Sequence, residues 1–168
     1  LFVRVLLATV VLNAPLARLL LWYIAAPLVA GALGLMVAFR QAGHPAQQPP
    51  PPSNPLQVWS AVQMAVLFQA VFYLMYGLRT TWGTSGVLAS GAILGLTDMD
   101  ALILSMARGV VGVPHELAAQ AIVIGILSNT ALKIVLSLAI GRSSFSWRAA
   151  AGLALIGAVL LVSFLLLR

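Results

Sequence analysis

The sequence contains no cysteine and very little charge. Only 7% of its 168 residues are charged, and just three are acidic. The absence of cysteine excludes disulfides, thiolate metal sites and thiol redox chemistry. Soluble domains carry about 25% charged residues, so the composition excludes a soluble globular fold. Because HExxH and GxSxG motifs are also missing, we expect no enzymatic activity and no cofactor.

Long hydrophobic runs predict an all-α, polytopic membrane bundle. Hydrophobic residues make up 62% of the chain. Only helices or closed barrels satisfy the backbone in lipid, and runs this continuous are not barrel strands. Residues 1–168 are therefore predicted to form a single helical transmembrane domain. Five runs are long enough to cross a hydrocarbon core of about 30 Å: Leu16–Phe39, Leu56–Leu78, Gly86–Ala107, Leu117–Ile140 and Trp147–Leu167.

Two segments depart from this pattern. Residues 1–12 are too short to span and contain Arg4, so we interpret them as a partial helix, the tail of a truncated one. Residues 40–55 are rich in proline and are predicted to form an extended loop. A stiff spacer is the interpretation we favour for it, over a peptide-recognition element. His44 lies alone in this loop, so it is not expected to bind a metal.

The positive charge is distributed as in a membrane protein. The formal net charge is +6, but the arginines lie one or two at each helix end and form no basic stripe. We therefore expect the lipid bilayer as a partner and exclude nucleic acid. We expect the protein to be integral to the bacterial inner (plasma) membrane. Five spans plus the partial helix would place Arg18 and Arg148 on one side, and Arg40 and Arg108 on the other.

Two of the three acidic residues, Asp98 and Asp100, lie inside the run Gly86–Ala107. An aspartate at mid-membrane costs roughly 2.5–3.5 kcal/mol on insertion scales unless it is paired or faces water. In a continuous helix the two would point about 200° apart. The segment from Thr97 to Asp100 matches a capping box, which predicts a helix broken near Thr97, with Thr97 as its N-cap. The alternative is a purely structural break, with nothing transported.

Gly91 and Gly95 form a GxxxG pair just before the predicted break. Glycines four residues apart let a second helix approach closely, which is how many helices associate in lipid. We expect them, together with Gly125 of the following run, to pack helices within the chain. A homodimer contact is the alternative.

The following run carries polar residues that would complete a site. Asn129 and Lys133 are four residues apart and share one face of a helix. Lys133 is the only lysine in the chain, and a buried ammonium must be paired or neutralised. We therefore predict that Lys133 faces Asp98 or Asp100, with Asn129 bridging. Gln69 is predicted to line the same cavity, or simply to bond to a neighbouring helix.

The motif Gly-Leu-Thr-Asp-Met-Asp-Ala at residues 95–101 follows Asn-Pro-Leu at 54–56 and precedes Ser-Asn-Thr at 128–130. This order resembles the membrane domain-of-unknown-function 4010 family, which is associated with MgtC/SapB-like proteins. The resemblance implies that Asp98, Asp100, Asn129 and Lys133 are hallmark polar positions of one site. MgtC-like proteins are associated with magnesium homeostasis, but this chain has no recognisable MgtC-like portion. A magnesium role would therefore rest on analogy alone.

Two functions fit these features. The first is transport of a small ion or solute through a site with six candidate residues: Thr97, Asp98, Asp100, Asn129, Lys133 and Gln69. Lys133 would neutralise one carboxylate, which disfavours a simple divalent-cation cage and favours a proton-coupled or exchange scheme, so no metal is assigned. The second is a non-transporting membrane subunit, a homodimer or the partner of another membrane protein, which scaffolds or regulates through its glycine face or proline loop.

Overall fold

The computed structural model describes residues 1–41, 58–108, 112–140 and 144–167 of the chain. The predicted proline-rich loop lies almost entirely outside these ranges. Within them the fold is all-α, as predicted, and contains no strand. The described helices are α1 (Phe2–Leu12), α2 (Ala14–Gln41), α3 (Val58–Thr97), α4 (Met99–Ala107), α5 (His115–Ile140) and α6 (Ser144–Leu167).

Three of the described helices are long and apolar enough to cross a membrane. The segments are Ala14–Val37 of α2, His115–Ala139 of α5 and Ser146–Leu167 of α6. Their outer faces carry large apolar side chains such as Trp22 and Leu166, which are 73% and 79% exposed. Side chains of this kind suit contact with lipid tails. The described residues therefore fit a membrane bundle, but the predicted five full spans are not confirmed.

The long helix α3 joins two of the predicted runs across a kink at Gly83. This residue has φ 57° and ψ −130°, which is not a helical conformation. A positive φ costs glycine little, because it has no Cβ. The kink therefore separates an upstream half of α3, starting at Val58, from a downstream half that ends at Thr97.

The downstream half of α3 packs backbone to backbone on α5. A Cβ added to Gly91 would lie 2.5 Å from the carbonyl oxygen of Ala121, and one added to Gly95 would overlap the backbone of Gly125. Such close approach is the usual result of small residues in membrane helices. Gly95 follows Gly91 in α3, and its contact Gly125 likewise follows Ala121 in α5. This half of α3 therefore runs parallel to α5.

The short helix α4 turns back along α5 instead of continuing across the bundle. Met99 and Leu102, near its start, lie against Gly125 in the first half of α5. Ala107, its last residue, accepts a hydrogen bond from Nδ2 of Asn13 at 3.0 Å. The end of α4 is therefore beside the junction of α1 and α2.

That junction lies at the same end of the bundle as the start of α5. Pro15 and Arg18 share a cavity with Pro114 and His115; we call this end of the bundle the Pro114 end, and the opposite one the Ser144 end. The downstream half of α3 and all of α4 thus form a hairpin that enters and leaves by the Pro114 end. The prediction that Gly86–Ala107 is a full span is wrong, because the chain reverses its direction in the middle of that run.

The partial helix predicted at the start of the chain is present as α1, which runs parallel to α4. Arg4 contacts Asp100 near the start of α4, and Asn13 bonds to Ala107 at its end. Asn13 also caps the start of α2, because its Oδ1 accepts a hydrogen bond from the amide of Leu16 at 3.1 Å. Both short helices therefore run from the level of the hairpin tip to the Pro114 end, and a full-length helix follows each.

Helix α6 is antiparallel to α5 and closes the bundle. A Cβ on Gly157 would lie 3.4 Å from Thr130. The hydroxyl of Ser137 donates to the carbonyl of Ser146 at 3.2 Å. A later residue of α5 thus contacts an earlier residue of α6, as expected for antiparallel helices. The largest of the fully buried side chains, those under 2% exposed, are aliphatic; they include Leu16, Leu20, Ile24, Leu102, Ile122 and Ile126.

The glycine contact predicts a position-specific loss of stability. Gly95→Ala inserts a methyl group into the backbone of α5 and should cost about 1–3 kcal/mol, as overpacking does. Gly152→Ala is the matched control, since nothing lies within 4 Å of its added Cβ and alanine is the better helix former. Thermal unfolding in detergent, followed by tryptophan fluorescence, measures both. Equal stability of the two variants would contradict the contact.

Candidate functional site

The tip of the hairpin is built by Asp98. Its backbone is extended, with φ −145° and ψ 102°, and it is the N-cap of α4. Oδ1 accepts hydrogen bonds from the amides of Asp100 at 2.9 Å and Ala101 at 3.2 Å. These amides are among those that a helix start leaves without a partner, and a carboxylate there also interacts favourably with the helix dipole. The helix break near Thr97 is therefore confirmed.

The prediction that Thr97 itself is the N-cap is wrong by one residue. Thr97 ends α3, and its hydroxyl donates to the carbonyl of Leu94 at 3.2 Å. The extended backbone that a cap requires occurs at Asp98, and a short carboxylate reaches two amides of the first turn from there. The side chain of Asp100 is consequently not part of a reciprocal capping box and is available for another partner.

That partner is Arg4 of α1, and not Lys133 as predicted. Nε of Arg4 donates to Oδ1 of Asp100 at 3.0 Å, and Nη2 donates to Oδ2. The pair is thus bidentate, the geometry that matches a guanidinium to a carboxylate. The side chains remain 67% and 46% exposed, respectively. The sequence did contain a signal, because Arg4 interrupts an apolar run in the same way as the aspartates do.

Asn129 contributes to the tip from α5. Its Nδ2 donates to the carbonyl of Gly95 at 2.9 Å. The helix break frees this carbonyl, because the amide four residues later, that of Met99, begins a new helix. Asn129 therefore bonds to the backbone instead of bridging charged side chains as predicted. Its Oδ1 is buried and has no hydrogen-bond partner among the described residues.

Five of the six predicted site residues line one open cavity at the tip. Its volume is about 450 Å³. The sixth, Gln69, is exposed on the upstream half of α3 and is not among the lining residues. The lining consists of Thr97, Asp98, Asp100, Asn129 and Lys133, with Leu1, Arg4 and Met99.

Two opposite charges in this cavity lack ionic partners within the described residues. Lys133 is exposed and makes no ion pair there. Asp98 uses Oδ1 for the helix cap, while its Oδ2 accepts no hydrogen bond in the same part of the chain. The Arg4–Asp100 pair is the one salt bridge found in the described ranges. The cavity therefore presents one free cationic and one free anionic group.

The cavity lies near the middle of the bundle's height. Asn129, which bonds to the tip, is close to the midpoint of α5 (His115–Ile140). The hairpin fills the Pro114 half of the bundle, where Ala119, Ile122 and Ile126 of α5 are fully buried. Beyond the tip, Lys133 and most of its neighbours on α5 are exposed. The exposed stretch of α5 therefore lies on the Ser144 side of the tip.

The described residues contain no group of three or more His, Cys, Asp or Glu that would hold a metal ion. At the tip, the available oxygen ligands are those of Asp98 and Asn129, and the positive charges of Arg4 and Lys133 stand beside them. Hard cations prefer six or more oxygen ligands. This constellation is a poor cage for a divalent metal.

Long helices with apolar outer faces around a polar hairpin tip are typical of a polytopic helical membrane protein. The family model described as "Domain of unknown function (DUF4010)" matches residues 1–141, so the chain belongs to that family. The match includes every residue that lines the cavity. Neither a curated protein nor a solved structure matches the chain.

The cap at Asp98 predicts an ordered series of stabilities. Asp98→Ala leaves two amides without an acceptor and should cost about 1 kcal/mol, whereas Asp98→Asn retains a good cap. Thr97→Ala removes only a hydroxyl bond within its own helix and should cost less. Denaturant titration of the three variants in detergent micelles measures the order. A greater loss for Thr97→Ala than for Asp98→Ala would contradict the cap assignment.

The ion pair predicts rescue by charge exchange. Arg4→Glu places two like charges together and should destabilise the protein, while Arg4→Glu combined with Asp100→Arg should recover stability. Contacting residues typically couple by about 0.5–3 kcal/mol, which a double-mutant cycle of unfolding free energies resolves. Arg148→Glu, at an exposed position of α6, is the control. Additive effects of the two exchanges would show that the pair contributes nothing.

Proposed function

We propose that the protein transports a small ion or solute across a membrane, which we take to be the bacterial inner membrane, through the cavity at the hairpin tip. The observation that carries this proposal is a pair of opposite charges, Asp98 and Lys133, that have no ion-pair partner among the described residues and lie in an open cavity near mid-height. Ionisable groups inside a membrane are expensive, and most of them mark substrate or ion pathways.

The architecture around the cavity supports the same function. Discontinuous helices with their half-helix ends near the bilayer midplane are common at transporter binding sites. Here the capped start of α4 lies at the cavity, and the hairpin closes the side towards the Pro114 end. Non-spanning backbone at this depth is tolerated where it lines a water-filled cavity.

The chain also repeats one arrangement around the cavity. In α1 and α2, and again in α4 and α5, a short helix runs to the Pro114 end and a long helix returns. Each short helix supplies one member of the ion pair, Arg4 or Asp100. Transporter sites typically lie where such repeated units meet. The relation to MgtC/SapB-like proteins stays a prediction.

The chemistry of the free charges favours an exchange scheme. Lys133 and Asp98 have no counter-charge among the described residues when the site is empty, and an ammonium on a flexible stem is able to approach the carboxylate. A substrate or proton that binds either group then separates them again. The site would thus alternate between a state in which Lys133 approaches Asp98 and a state in which the two are apart, and binding would be coupled to this movement. The Arg4–Asp100 pair keeps α1 and α4 together in both states.

Reconstitution into liposomes tests the proposal. Asp98→Asn preserves the cap but removes the charge, and Lys133→Ala removes the ammonium; we expect each to lower flux by about tenfold or more, the effect of losing one charged contact. Trapped pH-sensitive dye and efflux of entrapped potassium, magnesium and glycine measure the flux. Glu116→Gln and Arg148→Ala, outside the cavity, are the controls. Unchanged flux in both cavity variants would overturn the proposal.

A non-transporting subunit that scaffolds or regulates another membrane protein is the second candidate. It is favoured by one face of the upstream half of α3, on which Val66, Gln69, Tyr73 and Tyr76 recur every three or four residues and are all exposed. Amide and phenol groups on such a face suit a helical partner better than lipid. For a subunit of this kind, liposomes of the purified chain would show no flux, and purification in mild detergent would retain a stoichiometric partner.

A further inference from the structure

The cavity's charges define what a ligand must carry. Four ionisable side chains line it, two of each sign, and the bidentate pair of Arg4 and Asp100 occupies one of each. What remains is the ammonium of Lys133 and the second carboxylate oxygen of Asp98. Each of these charged groups favours a ligand group of opposite charge. The net charge of these two free groups is zero. They are complementary to a ligand that carries one positive and one negative charge at separate positions.

The hydrogen-bond donors and acceptors that remain free are divided between two sides of the cavity in the same way as the charges. Lys133 offers only donors, and Asp98 Oδ2 only accepts. Oδ1 of Asn129 is a further acceptor, buried and without a partner among the described residues. The orientation of this amide is set by the Gly95 carbonyl, which requires the donor Nδ2. The site thus has donors on the Lys133 side, and acceptors on the side of Asp98 and Asn129.

We propose that the ligand of this cavity is a small zwitterion that carries one ammonium and one carboxylate, as a small amino acid does. This inference rests on the proposed transport function and specifies its substrate class. The carboxylate binds Lys133, and the ammonium binds Asp98, with Asn129 as a second acceptor. A cavity of about 450 Å³ has room for such a molecule.

Singly charged ligands fit less well. A metal cation would satisfy Asp98 and Asn129 but would leave Lys133 unpaired beside it, and would be repelled by Arg4. A simple carboxylate or phosphate would satisfy Lys133 but would leave Asp98 unpaired. A charge that loses contact with water when the ligand binds, and gains no partner, opposes binding. A zwitterion pairs both groups and adds no net charge to the membrane interior.

Binding to the purified full chain in detergent tests the substrate class without requiring flux. Isothermal titration is performed with glycine, β-alanine and 4-aminobutyrate, which differ in charge separation, and with methylammonium, acetate and Mg²⁺ as single-charge probes. We expect at least one zwitterion to bind about tenfold or more tightly than methylammonium and acetate. Asp98→Asn and Lys133→Gln should each weaken that zwitterion by about tenfold, whereas Glu116→Gln should have no effect.

Several other results would overturn the zwitterion assignment. Tight binding of Mg²⁺ that Lys133→Gln strengthens would identify a cation site, and acetate binding as tight as that of any zwitterion would identify an anion site. Binding of no probe, or of a zwitterion that both cavity variants still bind, would reject the assignment as well. Flux of potassium or magnesium without zwitterion binding would reject this substrate class but keep the transport function. Zwitterion binding without flux would keep the zwitterion as the ligand but reject the transport function.

Discussion

The need to satisfy every backbone polar group in lipid governs the structure around the hairpin tip. Reversing the chain at Asp98 ends one helix and begins another midway along the bundle, which leaves backbone groups at both helix ends without intrahelical partners. Asp98 accepts from the amides at the new start, and Asn129 donates to the Gly95 carbonyl that the break frees. Asn13 does the same for Ala107 at the other end of α4. Polar side chains are thus first of all structural here, and only their unused atoms are available to a ligand.

The existence of the break was predictable from the sequence, whereas its cap and its charge partner were not. Two carboxylates after a pair of glycines cannot share the interior as one continuous helix, and that argument is local. Thr97 and Asp98 are both good capping residues, and only the backbone conformation decides between them. The partner of Asp100 depends on where α1 lies, which is a long-range property. Arg4 became recognisable as that partner only through the packing of α1 along α4.

Hydropathy failed at the hairpin for a physical reason. It measures the length and apolarity of a run, and two half-helices connected in the middle have the same composition as one crossing helix. Direction is revealed by the order of contacts, such as Gly91 with Ala121 and Gly95 with Gly125. The GxxxG spacing predicted that a helix would approach closely at Gly91 and Gly95, but it contains no information about whether that helix is parallel or antiparallel.

The hairpin also changes the sidedness of the chain. A hydrophobic run that forms a hairpin returns to the side from which it entered and does not cross the bundle. Counting that run as a span therefore assigns every later segment to the wrong side. Arg18 and Arg108 consequently lie at one end of the bundle, and Arg40 and Arg148 lie at the opposite end, which differs from the grouping expected from five spans. A reporter fused after α4 would therefore mark the same compartment as one fused at the start of α2.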